Sequence, residues 1–220
     1  YSGLNTANND YIEHKNNKKI NIGFVSPDLK KHSVSFFLKD VIEKINKDNF
    51  KIHAFSNLEQ AHHDEVTEFF KENFDKWNDT YELSDQELKN LVRSCNIDIL
   101  IDLAGFTKDH RINIFNERCA PIQISWLGYC NSLGVHNMDY IIADPNVIKK
   151  KEKHLYLEKI LYMPNMWCVG SKIKNLPPIN ILPYKTNSFI TFGSFNNFQK
   201  ISDDTIRIWP KILNNTKSKL

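Results

Sequence analysis

Two hundred and twenty residues with 41% hydrophobic content suffice for one large folded core, or for one domain with part of another. The formal charge is +3, with 29 basic side chains interleaved among 26 acidic ones, so no block of like charge suggests a nucleic-acid arm or a membrane-surface patch, and no apolar run reaches membrane-spanning length. Cys95, Cys119, Cys130 and Cys168 show neither close pairing nor C-x-x-C spacing, which argues against a disulfide framework or a zinc site and fits a reducing, cytoplasmic setting.

Residues Tyr1 to Lys19 are polar, Asn-rich and without apolar periodicity, which predicts a linker. The run Ile20–Val25 predicts a strand. Val34, Phe37, Leu38, Val41, Ile42 and Ile45 then recur at the spacing of one helix face, with Ser33 as the candidate N-cap. A strand is predicted at Phe50–Ser56, a helix around Asp64–Lys71, a short strand near Phe74–Trp77, and a helix over "SDQELKNLVRS" opened by a Ser84/Glu87 capping box. The segment Ile97–Gly105, "IDILIDLAG", has the apolar continuity of a central parallel strand, and a helix around Asp109–Arg118 and a strand at Pro121–Trp126 follow it. Tyr140–Ala143 and Lys159–Tyr162 are two further short strands.

Strands alternating with helices at this interval predict an α/β fold, a Rossmann-like parallel sheet with helices on both faces, over residues 20–162. Pro164, Pro177, Pro178 and Pro183 break the rhythm within 163–188, which reads as a connector. After it, "FITFGSFNNFQKISDDTIRIWPKIL" restarts the pattern with a strand at Phe189–Gly193 and a helix from about Asp203, as though a second Rossmann-like domain began within 189–220. A start without methionine and a stop after a helical pattern lead us to expect a piece of a longer protein.

Ligands of open parallel sheets bind beyond the carboxyl ends of the strands, which directs attention to four loops. In "SPDLKKH", His32 precedes a helix whose positive end would keep its imidazole neutral and able to take a proton; the alternative is a polar loop residue. In "DLAGFTKDHR", Gly105 permits close backbone approach and Thr107 offers a hydroxyl, while Asp102 could cap neighbouring backbone. In "SWLGYCNSLG", Trp126 and Tyr129 flank Leu127 and Gly128 as an apolar wall beside backbone amides, or as a packed turn. In "GSFNNFQK", Lys200 near a helix start suits a phosphate or diphosphate. The Walker A and G-x-G-x-x-G spacings are absent, as is any Asp-x-Asp pair to bridge a metal to a nucleotide diphosphate; His62, His63 and Asp64 read as an exposed polar helix start rather than a metal site.

In this order "IGFVSPDLKKHSV", "DILIDLAGFT", "RCAPIQISWLGY", "MDYIIAD", "YMPN" and "TFGSFNNFQKIS" resemble the catalytic region of the O-linked N-acetylglucosamine transferases, glycosyltransferase family 41, which includes the SPINDLY proteins. The resemblance runs from about Ile20 to Leu213. It implies a GT-B architecture of two facing Rossmann-like domains, a UDP-GlcNAc donor held mainly by the second, tetratricopeptide repeats ahead of the region, and a protein acceptor. It further implies inverting transfer to Ser or Thr hydroxyls without a metal or other cofactor, while the interleaved charge speaks for neither nucleic acid nor membrane as partner. By the same resemblance His32 is the catalytic base or an acceptor-side group, and Thr107, Leu127, Gly128 and Tyr129 line the donor sugar. Lys200 meets the donor diphosphate with Asn197 beside it. With the second domain cut short, the fragment itself is expected to be inactive. One departure stands out: the family's usual Pro-Gly after Trp-Leu-Gly-Tyr is Cys130-Asn131 here. It leaves open a GDP-fucose O-fucosyltransferase, and a sugar-nucleotide epimerase or an inactive binding module would fit the same framework.

Overall fold

The computed structural model describes residues 19–171 and 176–219, so the expected linker lies outside the described residues except for Lys19. Seven strands form one sheet in the order β3-β2-β1-β4-β5-β6-β7, every adjacent pair parallel. They are β1 (Ile20–Ser26), β2 (Phe50–Ser56), β3 (Lys76–Asp79), β4 (Ile99–Asp102), β5 (Ile122–Ser125), β6 (Tyr140–Ala143) and β7 (Lys159–Tyr162).

Alternation along the strands sorts the core into two layers. Ile22 and Phe24 of β1, Ile52 and Ala54 of β2, and Ile101 of β4 pack with Val34, Leu38 and Ile42 of α1 (Ser33–Lys44) and Phe70 of α2 (Glu65–Asn73). Val25, Phe55 and Leu100 face the other way, against Leu88 and Val92 of α3 (Asp85–Ser94). Helices therefore cover both faces, as predicted. The Ser84/Glu87 capping box is formed, with each side chain bonded to the other residue's backbone N–H.

Two predicted elements, and the exposure of one residue, differ. The helix around Asp109–Arg118 is only a 3-10 turn at Ile112–Asn116, because Cys119 Sγ takes the Ile114 carbonyl and Gln123 Nε2 takes that of Phe115, the acceptors an α-helix would use. The short third strand lies at Lys76–Asp79 rather than Phe74–Trp77: Phe74 still closes α2 by donating to Phe70 O, and Asp75 accepts from Ile52 N. His63, expected to be exposed, has a side chain only 11% exposed, set edge-on to Trp77.

The chain divides into two compact units, residues 1–172 and 173–220. The second, by itself, has α4 (Pro183–Asn187) within the predicted connector, a two-strand parallel pair of β8 (Ile190–Thr191) and β9 (Ser218–Lys219), and α5 (Asp203–Asn215) capped by Ser202.

Candidate active site at the sheet switch point

From β1 the sheet grows one way through β2 and β3 and the other way through β4 to β7. The direction reverses between β1 and β4, and the crevice beyond the carboxyl ends of such a strand pair is where an open parallel sheet takes its ligand. The loops carrying His32 and Thr107 leave the sheet at these two strands, and the loop carrying Leu127 leaves β5 next to them.

His32, not Ser33, is the N-cap of α1. Its backbone is extended (φ −148°, ψ 158°) and its Nδ1 accepts from Val34 N at 3.4 Å, while Ser33 already occupies the first helical position. The same Nδ1 lies 3.6 Å from Oδ2 of Asp28, one helical turn's worth of residues upstream. These contacts need opposite tautomers. Capping requires a bare Nδ1 and places the proton on Nε2; donation to Asp28 places it on Nδ1 and leaves the Nε2 lone pair for an outside proton. Both distances are long for hydrogen bonds, so neither contact fixes the tautomer. The imidazole is 41% exposed and the Asp28 side chain 13%. Burial raises the Asp28 pKa, against the pull of His32 and Lys30, while nearby Asp109 adds to the rise. The Asp28 backbone is fixed at both ends, its N–H donating to Ser26 Oγ and its carbonyl accepting from Ser35 Oγ.

Asp102 ends β4 and shapes the next loop. One carboxylate oxygen accepts from Gly105 N at 2.7 Å and the other from Ala104 N at 3.3 Å, and Asp102 O accepts from Trp126 N. It is 1% exposed, and burial pushes its pKa up to about 6 against those two N–H donors. Asp102 thus does the backbone capping considered for it from the sequence. Gly105 has φ +59°, and a Cβ there would collide with Tyr129; one on Gly128 would collide with the Leu103 carbonyl. These two glycines let the β4 and β5 loops lie directly against each other.

Leu127 has φ +79°, and Gly128 N donates to Trp126 O at 3.1 Å, which is a γ-turn in its strained, positive-φ form. Leu127 is buried, whereas Thr107 is exposed and donates its hydroxyl proton to Ala104 O, leaving its oxygen free to accept. Tyr129 meets Phe106 edge to face, with ring centres 5.8 Å apart, and Trp126 Nε1 donates to the Trp167 carbonyl. Thr107, Leu127, Gly128 and Tyr129 are therefore brought together on one clamped pair of loops. In the second unit, Lys200 ends a 3-10 turn, Phe198–Lys200, whose N-cap is Asn197; Asn197 Oδ1 accepts from Gln199 N. Among the described residues no group of three or more His, Cys, Asp or Glu side chains is gathered as a metal site.

Sequence reasoning overlooked Asp28. Its signal was its position four residues before His32, with a Ser-Pro turn holding it beside the strand end. Asp109 was read only as a helix start; it instead has φ +59°, and its carbonyl accepts from Asn57 Nδ2.

Comparison with known proteins agrees with this architecture. The description "Glycosyl transferase family 41" matches residues 4–182. The protein named "Probable UDP-N-acetylglucosamine--peptide N-acetylglucosaminyltransferase SPINDLY" from Solanum lycopersicum is 31% identical over 196 residues, 87% of this chain and 21% of its own length. Its namesake from Oryza sativa subsp. japonica is 34% identical with the same coverage. A solved structure of a mutant Thermobaculum terrenum O-GlcNAc transferase superposes with a TM-score of 0.84 at 31% identity, covering 92% of this chain and 38% of that one. The chain spans about a fifth of the length of these curated relatives. Seven parallel strands, the loops at their switch point and the family match over most of the chain together place it in glycosyl transferase family 41.

Proposed function

We propose that this chain forms the acceptor-side part of a protein O-GlcNAc transferase, which moves GlcNAc from UDP-GlcNAc to Ser or Thr hydroxyls of proteins with inversion and without a metal. The observation that carries the reading is His32 at the switch point, its Nδ1 3.6 Å from a mostly buried carboxylate and its ring open to solvent. The printed names of the SPINDLY relatives, which describe UDP-N-acetylglucosamine–peptide transfer, supply the donor and acceptor classes.

In the proposed step the acceptor oxygen bonds to the anomeric carbon, the bond from that carbon to the diphosphate oxygen breaks, and its electron pair leaves with UDP. The hydroxyl proton passes to His32 Nε2 in the tautomer that carries its own proton on Nδ1 and donates it to Asp28, whose carboxylate offsets the imidazolium charge. Thr107 accepts a hydrogen bond from the sugar, since its own proton is already given to Ala104 O. The wall made by Leu127, Gly128 and Tyr129 bounds the sugar, and Lys200 with Asn197 offsets charge on the departing diphosphate. Tetratricopeptide repeats ahead of the chain would present the acceptor, in the cytoplasm.

Transfer of fucose from GDP-fucose on the same framework is the second reading, favoured by the exposed Cys130 and Asn131 beside Tyr129. Assaying the whole protein that carries this chain with each labelled donor separates the two. Consumption of UDP-GlcNAc with label on Ser or Thr is expected; label from GDP-fucose alone selects the second reading, and label from neither refutes both.

A further inference from the structure

At the opposite edge of the sheet, where β1, β2 and β3 begin, a cavity of about 400 Å³ is lined by Lys19, Lys51, Lys76, His53 and the Ser94–Asn96 end of α3. His53 lies on the α3 side of β2, beside Gly23 of β1 and Lys76 of β3 in register. It is 2% exposed, and neither ring nitrogen has a hydrogen-bond partner. A neutral imidazole always carries one N–H, and burying that donor unmet costs about 1–3 kcal/mol.

The charge around it is also unbalanced. Burial first, then the positive charges of Lys51 and Lys76, hold the His53 pKa down at about 4, with Asp75 alone pulling upward. Neither lysine forms an ion pair among the described residues. Of the nearby carboxylates, Asp75 accepts from Ile52 N and Asp98 from Asn21 N, both at 2.7 Å. Lys19 Nζ donates to Lys47 O. The negative end of α3 is already closed: Leu91 O accepts from Cys95 N and Ser94 Oγ, Arg93 O from Asn96 N, and Asn96 O from Asn21 Nδ2. The lining thus brings two lysines that form no ion pair among the described residues beside a buried imidazole whose N–H is unmet.

We propose that this cavity binds a phosphate group, with Lys51 and Lys76 supplying the charge and His53 donating one hydrogen bond. Such a ligand meets both deficits at once, the missing acceptor and the missing negative charge. The site lies across the sheet from the switch point and stands independently of the transferase reading.

The test is titration of the 220-residue chain with inorganic phosphate, and separately with a sugar phosphate, following the His53 ring resonances by NMR at constant ionic strength. Saturable movement of those resonances is expected, with affinity reduced at least tenfold in Lys51→Met/Lys76→Met and unchanged in Lys200→Ala. Response to the sugar phosphate alone means the group is carried on a small molecule; response to inorganic phosphate means the free ion suffices. His53 resonances that never move, or that move equally with chloride, overturn the proposal. So does affinity that falls in Lys200→Ala but not in the lysine double variant.

Discussion

His32 combines two roles that different substitutions separate. Asparagine is as good an N-cap as exists, whereas alanine is not, and losing a cap costs about 1 kcal/mol. His32→Asn should therefore keep the wild-type urea midpoint while His32→Ala lowers it. On the proposed mechanism both lose transfer by roughly 10²–10⁴-fold, the usual worth of a general base. Equal midpoints for the two variants would remove the capping role.

Two buried groups should oppose each other in the pH dependence of stability. Asp102 is raised from 3.8 to about 6, so the folded chain holds this proton more tightly than the unfolded one. Its contribution is complete below the unfolded value and is lost as pH rises through about 6. His53 is lowered from 6.5 to about 4, so its contribution is complete above pH 6.5 and is lost as pH falls through about 4. Each is worth about 3 kcal/mol at most, and they nearly cancel between the two values. In phosphate-free buffer Asp102→Asn should leave stability rising with pH across this window, and His53→Gln should leave it falling. Urea midpoints of both variants that parallel wild type would contradict the assignment. The place of His32 in the turn after β1 was legible from the apolar run before it, whereas its use as the N-cap was not, Ser33 being expected there. The state of His53 was not legible either, since nothing in "FKIHAFS" says that its ring lacks a partner.

Among the elements, the clamp between the β4 and β5 loops rests on Gly105, read from the sequence as permitting close backbone approach, and on Gly128, read there as part of an apolar wall or packed turn. Gly128→Ala drives a methyl into the rigid Leu103 carbonyl, and Gly105→Ala adds a disfavoured φ to a clash with Tyr129, so each should cost about 1–3 kcal/mol. Gly134, also at positive φ (+64°), has no atom within 4 Å of the added methyl, and its alanine variant should lose only about 1 kcal/mol. Thermal unfolding of the three variants checks the ranking. The strands of the sheet were readable because apolar continuity and alternation are local. The stretch Ile112–Asn116 was not, because Cys119 and Gln123 decide its hydrogen bonding from outside the segment.

At the scale of the molecule, the two units differ in what they bury. The first holds the layered core, whereas no described residue of the second is buried, and Ile179 and Phe195 stand fully exposed. Residues 19–172 expressed alone should unfold cooperatively in urea, and residues 173–220 alone should show no such transition. The alternation of strands and helices, and with it a parallel sheet covered on both faces, was legible from strand spacing, whereas the strand order and its switch point came only with the structure. The pairing of His32 with Asp28 was not legible, because it depends on how the Ser-Pro-Asp turn folds back on the first turn of α1. The central claim, that this edge serves glycosyl transfer through His32, is tested most directly by mass spectrometry of an acceptor protein after incubation with UDP-GlcNAc and the whole protein carrying this chain, as wild type and as His32→Asn. The account predicts N-acetylhexosamine on Ser or Thr with wild type and almost none with the variant; equal modification by both, or none by wild type, would contradict it.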